Sequence, residues 1–195
     1  MPRPSQLVSL PHVRQAAHDI GLTLLSFMLY WTAYQGHELI QPYVAYAQGV
    51  DLLFLPAGIK LVMIMVAGWR GALGCGLALL SVAPHFWPEQ DLALLTLYAM
   101  LSVGITWLVV ELMLHHRGME PTLQGLRFWD IVLIDAFNTM LHGVTINLFF
   151  WACGLRSAEL LWSATLGMAL GDFLGTGAAL LLVLLAAQVL VPSRR

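Results

Sequence analysis

Gly167-Met168-Ala169-Leu170-Gly171-Asp172-Phe173-Leu174-Gly175-Thr176-Gly177 is the stretch on which the reading of this chain turns. It sets one carboxylate inside an apolar run, among glycines four residues apart. Gly167, Gly171, Gly175 and Ala179 form a ladder of small residues, which lets another helix approach closely within a membrane. Asp172 sits beside that ladder. An acid at bilayer depth is costly and calls for a partner, a cavity or a task.

Composition agrees with a membrane setting. Of 195 residues, 59% are hydrophobic and only 10% charged, where a soluble domain carries about 25% charged residues. The mean hydropathy is +0.77. Apolar runs fall at 20–34, 52–69, 71–87, 92–114, 129–153 and 160–191. Most of these runs approach or exceed the ~20 residues a bilayer core requires. The expectation is an all-α polytopic bundle of about six transmembrane helices, filling 19–191 as one domain. Residues 1–18 read as a cytoplasmic lead-in and 192–195 as a cytoplasmic tail.

Charge orients the bundle. With the N-terminus inside, Arg3, Arg14, Arg70, Arg117, Arg127, Arg194 and Arg195 fall on the cytoplasmic side. Arg156 alone falls outside, and Lys60 lies within a span. This positive-inside bias predicts that both termini are cytoplasmic. No basic cluster points to nucleic acid. Cys75 and Cys153 are isolated and form neither a zinc pattern nor a disulfide framework.

Polar residues inside the runs are the candidate site. Pro56 and Gly58 open the second span and predict a kink or broken helix there. Lys60, the only lysine, follows about halfway along that span. In the fifth span Asp135, Asn138, His142 and Thr145 share one helical stripe, with Asn147 about a turn further on. Such a stripe cannot face lipid cheaply, so it lines the bundle interior. Interhelical glue and a ligand or ion cavity both remain open as its purpose. Lys60 is expected to pair with Asp172, or with Asp135. The loop from Gln35 to Asp51 reads either as an interfacial segment or as a lid over an outward-opening pocket. The run 158–191 would reach about 51 Å as one helix. Part of it, 158–166, is therefore expected to lie on the outer surface, or the helix to bend at the ladder.

Leu53-Phe54-Leu55-Pro56-Ala57-Gly58-Ile59-Lys60-Leu61, then Gly68-Trp69-Arg70-Gly71, then Gly171-Asp172-Phe173-Leu174-Gly175, follow one another in an order that resembles a known pattern. It is similar to the bacterial integral-membrane sensor domain of the first "membrane-associated sensor" type, over about residues 20–191. Lys60 after Pro-x-Gly also resembles the membrane part of bacterial sugar-phosphate sensor kinases. The resemblance implies a multi-pass protein of the bacterial inner membrane that takes part in signal transduction. Such domains precede a histidine kinase or diguanylate cyclase. Neither signature follows here, so the expectation is a free-standing sensor-like protein or a piece of a longer one.

Function is expected to be non-enzymatic. No His-Glu-x-x-His motif and no serine nucleophile elbow occur, so no catalytic residue, metal or cofactor is assigned. The leading expectation is a regulatory membrane domain that binds a small ligand and signals through a membrane or cytoplasmic partner. Lys60, Asp135, Asn138, His142 and Asp172 would form its ligand site or buried polar network. Pro56, Gly58, Gly167, Gly171 and Gly175 would serve helix packing. Alternatives are the substrate-binding membrane subunit of an uptake transporter, and a membrane scaffold or assembly subunit.

Overall fold

The computed structural model describes residues 11–116, 118 and 125–190. The expected cytoplasmic arginines 3, 117, 194 and 195, the tail 192–195 and the start of the lead-in lie outside these residues. The described chain is a helical bundle with one small hairpin. Its order is α1 (Pro11–Glu38), α2 (Gln41–Val44), β1 (Ala45–Ala47), β2 (Val50–Asp51), α3 (Leu55–Ala67), α4 (Trp69–Phe86), α5 (Leu92–His116), α6 (Phe128–Ala152) and α7 (Leu161–Leu190). A 3-10 turn, Ala158–Leu160, leads into α7. Each apolar run contains one helix. The helices α5 and α6, and the stretch Ala158–Leu185 that holds most of α7, are long and apolar enough to cross a membrane.

The distribution of side chains is inverted relative to a soluble protein. Leu170 and Leu174 are about half exposed while Asp172 between them is 3% exposed. Met100, Phe137 and Leu181 face outward, whereas Lys60, Asp135, Asn138 and His142 face inward. Apolar surface outside and ionisable groups inside suit a lipid solvent.

Contacts fix the direction of each helix. Asp19 meets Arg70, and Tyr34 meets Phe86 edge-on, so α1 and α4 run parallel. The Arg70–Asp19 bond is 2.5 Å and holds the Asp19 carboxyl below its usual range. Asn147 lies on Met168 and His142 on Asp172, so α6 and α7 are antiparallel. Alternating direction is what short connections between neighbouring helices produce.

Two expectations about the second and last runs are corrected in detail. Helix α3 has 13 residues, about 20 Å of rise, short of a ~30 Å core. It starts only at Leu55 because Pro56, at its first turn, ends the non-helical stretch 52–54. Helix α7 is continuous from Leu161, so 158–166 forms no separate surface segment. The lead-in is also partly helical, since α1 begins at Pro11.

The glycine ladder does more than admit a neighbouring helix. Gly167 faces Tyr46 and Val50 of the hairpin. Gly171 faces the Asp51 carbonyl, and Gly175 the Phe54 carbonyl. The Phe54 amide donates to the Gly171 carbonyl at 2.9 Å. Only beyond this point does a helix arrive, with Gly58 of α3 against Thr176 and Ala179. The ladder is therefore a track for passing backbone first and for a helix second. It also gives a hydrogen-bond partner to backbone that leaves the helical pattern at depth.

This makes a graded prediction. A Cβ on Gly171 or Gly175 would overlap a backbone carbonyl, so Gly171→Ala and Gly175→Ala should each destabilise by about 1–3 kcal/mol. Gly177 has open space around its missing Cβ, so Gly177→Ala should be neutral or slightly stabilising. Thermal unfolding of the purified protein in one detergent reads the order. Equal effects at all three positions would refute the backbone track.

Candidate functional site

Four helices deliver one buried polar network. Helical spacing on α6 turns Asp135, Asn138, His142 and Asn147 inward, and all four are buried; Thr145 is only half-buried. Helix α7 presents Asp172 and Thr176, α5 presents Ser102, and α3 presents Lys60. The Lys60 ammonium donates to Ser102 Oγ at 3.2 Å and lies 3.3 Å from His142 Nε2. Ser102 Oγ lies 2.9 Å from the same ring nitrogen. On the other side of the ring, His142 Nδ1 is 2.7 Å from Asp172 Oδ2. The Thr176 hydroxyl is 3.0 Å from both Asp135 Oδ1 and the Asp172 carbonyl, and its single hydrogen serves one of them.

Donor and acceptor roles follow from these partners. Asp172 accepts, so Nδ1 of His142 carries a hydrogen. An ammonium has only hydrogens to give, so Nε2 accepts. The ring is thus a neutral bridge that links a cation on α3 to an anion on α7. Lys60 does not meet Asp172 directly, as the simple pairing would have it; the imidazole stands between them. The arrangement separates the charges and still satisfies both, at the expense of a third polar group.

A second His–Asp pair lies nearer the hairpin. His37 Nε2 is 2.8 Å from Asp51 Oδ2, and both residues are buried. The Phe54 ring packs edge-on to His37 at 5.0 Å. Between the two pairs is a cavity of about 40 Å³, lined by Asp51, Phe54, Trp87, Tyr98, His142 and Asp172. That is room for about one water-sized species. The hairpin roofs it, with Val50 and Asp51 buried while Tyr43 and Tyr46 are exposed. Gly49 turns the hairpin at φ 71°, a conformation that favours glycine, and packs against Trp87. Within 35–51 the first residues belong to the end of α1, and the rest pairs an exposed arm at Tyr43 and Tyr46 with a buried strand, Val50–Asp51, beside the cavity.

A third cluster lies at the same end. Arg156, between α6 and α7, donates to Asn147 Oδ1 and to the Gln48 carbonyl, the latter at 2.6 Å. Its guanidinium lies 5.5 Å over the Phe150 ring. Asn147 thus extends the polar stripe of α6 to the hairpin turn.

All five residues expected at the site are buried, and four of them share contacts. Lys60, His142 and Asp172 form one chain, which Thr176 extends to Asp135. Asn138 is buried beside it, but its Oδ1 has no hydrogen-bond partner among the described residues. Ser102, Thr176 and the His37–Asp51 pair escaped the sequence reading. Ser102 and Thr106 do sit four apart on α5, a visible one-face hydroxyl pair. His37 and Asp51 are separated by a chain reversal that no periodicity reveals.

The chemistry on offer is binding and proton exchange. Among the described residues, no group of three or more His, Cys, Asp or Glu side chains is placed to hold a metal. Ser102 contacts His142, and its hydroxyl also accepts from the Lys60 ammonium.

Removing one member of the network strands the others. Lys60→Met should cost about 3–5 kcal/mol, because it leaves the buried carboxylate without its cation. Lys60→Met with Asp172→Asn should recover at least half of that loss. Unfolding midpoints for the singles and the double give the coupling. A double variant less stable than either single would remove the bridge through His142.

Compared with known proteins, the chain matches no family model, no curated protein and no solved structure, so the site's own chemistry carries the functional reading.

Proposed function

We propose that this chain is an integral-membrane regulatory bundle of the sensor type, non-enzymatic, with six crossings and both ends on the cytoplasmic side. The observation that carries the reading is the bridged chain Lys60–His142–Asp172 beside a roofed cavity. The bridge itself has two states, formed and broken. A stimulus that favours one of them shifts the packing of α3, α5, α6 and α7 together.

The cavity bounds the stimulus. With the hairpin down, about 40 Å³ admits water, a small ion or a proton. A larger ligand enters only if residues 45–51 lift. An uptake subunit needs a substrate-sized chamber at this place, and the closed interior offers less support for that reading. Output would pass to a partner at the other end of the bundle. There, α1, α3, α4 and α5 enclose a cavity of about 520 Å³ whose walls include His18, Trp69, Arg70, Trp107, Glu111 and His115. In a bacterial cell this end faces the cytoplasm and the hairpin faces outward.

Two measurements test this. For topology, with the exposed Cys153 first replaced by Ser, Glu89→Cys and Ser157→Cys should react with an impermeant thiol reagent added outside intact cells, while His116→Cys should react only after lysis. The opposite pattern overturns the orientation. For regulation, hydrogen exchange of the purified protein should respond at both ends to Asp172→Asn. Amides of 45–54 and of the α3–α4 turn should exchange about tenfold faster, as expected for a coupling of one to a few kcal/mol. Acceleration confined to the residues touching Asp172 would identify the network as structural glue.

A further inference from the structure

Any anion near Lys60 would meet Asp172, one ring away through His142. The interior site is therefore not where this protein takes up negative charge. Arg156 differs. It is only 9% exposed, and among the described residues no acidic side chain lies within 4 Å of it. Its partners are the neutral Asn147 amide oxygen and the Gln48 carbonyl, and a guanidinium has more N–H donors than these bonds use. Burial lowers its pKa, yet a guanidinium keeps its charge across the neutral range. A buried cation with only neutral partners is a costly arrangement, which an incoming oxyanion would relieve.

The space for such an ion is present. Arg156 lines a cavity of about 500 Å³ between the hairpin and the start of α7, together with the polar Tyr46, Gln48 and Ser157 and the apolar Leu155 and Leu160. That volume lies in the range of small-molecule sites. Tyr46, Leu160 and Trp162 are exposed around this end of the bundle, the kind of aromatic and apolar rim found at membrane–water interfaces. Aromatic rings at such interfaces sit at the headgroup level, where a bilayer carries its phosphates.

We propose that the cavity beside Arg156 binds a phosphate group, carried by a lipid headgroup or by a small phosphate compound. The guanidinium grips the phosphate oxygens with its unused donors, and the Ser157 hydroxyl adds a further donor. Leu155 and Leu160 take up apolar substituents. The Gln48 carbonyl that Arg156 also holds belongs to the turn of the hairpin, so occupancy ties down the roof of the inner cavity. The site does not depend on the regulatory reading of the Lys60 network.

The test uses the full chain, purified in an uncharged detergent, with thermal unfolding as the readout. In one arm, inorganic phosphate is titrated against chloride at constant ionic strength. In the other, the protein is placed in phosphatidylcholine vesicles with and without phosphatidylglycerol. A saturable rise in Tm is expected in at least one arm. Saturation by inorganic phosphate identifies a free phosphate as sufficient, and a response to phosphatidylglycerol alone identifies the headgroup. Arg156→Met should abolish the rise, and Arg156→Lys should weaken it about tenfold, because an ammonium lacks the planar fork. Ser157→Ala, which removes only an exposed hydroxyl, should weaken it a few-fold without loss of the fold, and stands in if Arg156→Met does not fold. No rise in either arm, or an equal rise in Arg156→Met or in Ser157→Ala, overturns the proposal.

Discussion

The bare backbone of α7 at Gly171 and Gly175 is the constraint from which the bundle's interior follows. There the chain from Asp51 to Phe54 passes so close that its carbonyls occupy the place of a side chain. This approach sets the height at which α3 begins. It thereby brings Lys60 level with His142 on α6 and Ser102 on α5. It also positions Asp51 to meet His37 and to wall the small cavity. A side chain at either glycine would push the hairpin and α3 outward together, and every polar contact beyond them would lengthen.

The network then answers a question that burial poses. A lone ammonium and a lone carboxylate are each expensive in an apolar interior. Direct pairing would solve this for two helices. Bridging through an imidazole solves it for α3, α6 and α7 at once, with α5 joined through the Ser102 hydroxyl. The ring also makes the arrangement conditional, because His142 can satisfy both neighbours in only one tautomer. The neighbouring His37–Asp51 pair repeats the motif where the hairpin closes over the cavity. Two such pairs within one bundle give it internal polar order that apolar packing alone would not supply.

Much of the helical plan could be read from composition and spacing. The stripe on α6 announced itself because Asp135, Asn138 and His142 fall three and four residues apart in an apolar run. Lys60 and Asp172 stood out because charges are rare at that depth. Their relation was harder. Adjacent charges of opposite sign suggest contact, and nothing in a one-dimensional pattern says that a third group will intervene. The glycine ladder was legible as a site of close approach, but its spacing is the same whether helix or irregular backbone lies against it. Arg156 was read as the exception to a topological rule. Its partners, Asn147 and the Gln48 carbonyl, come from a helix and a turn whose proximity only the folded chain creates.

The stretch from Val50 to Gly58 travels alongside α7 from Gly167 to Ala179, contact by contact. On α7 that distance is ~18 Å and takes about twelve residues of helix. The partner covers it with fewer residues by leaving the helical conformation for its first half. A segment assembled in this way covers more height per residue than an unbroken helix does. It also has no slack. A helix that gains a residue turns by about 100° and can re-seat a similar face, but a chain threaded over glycine backbone has one register in which its carbonyls fit.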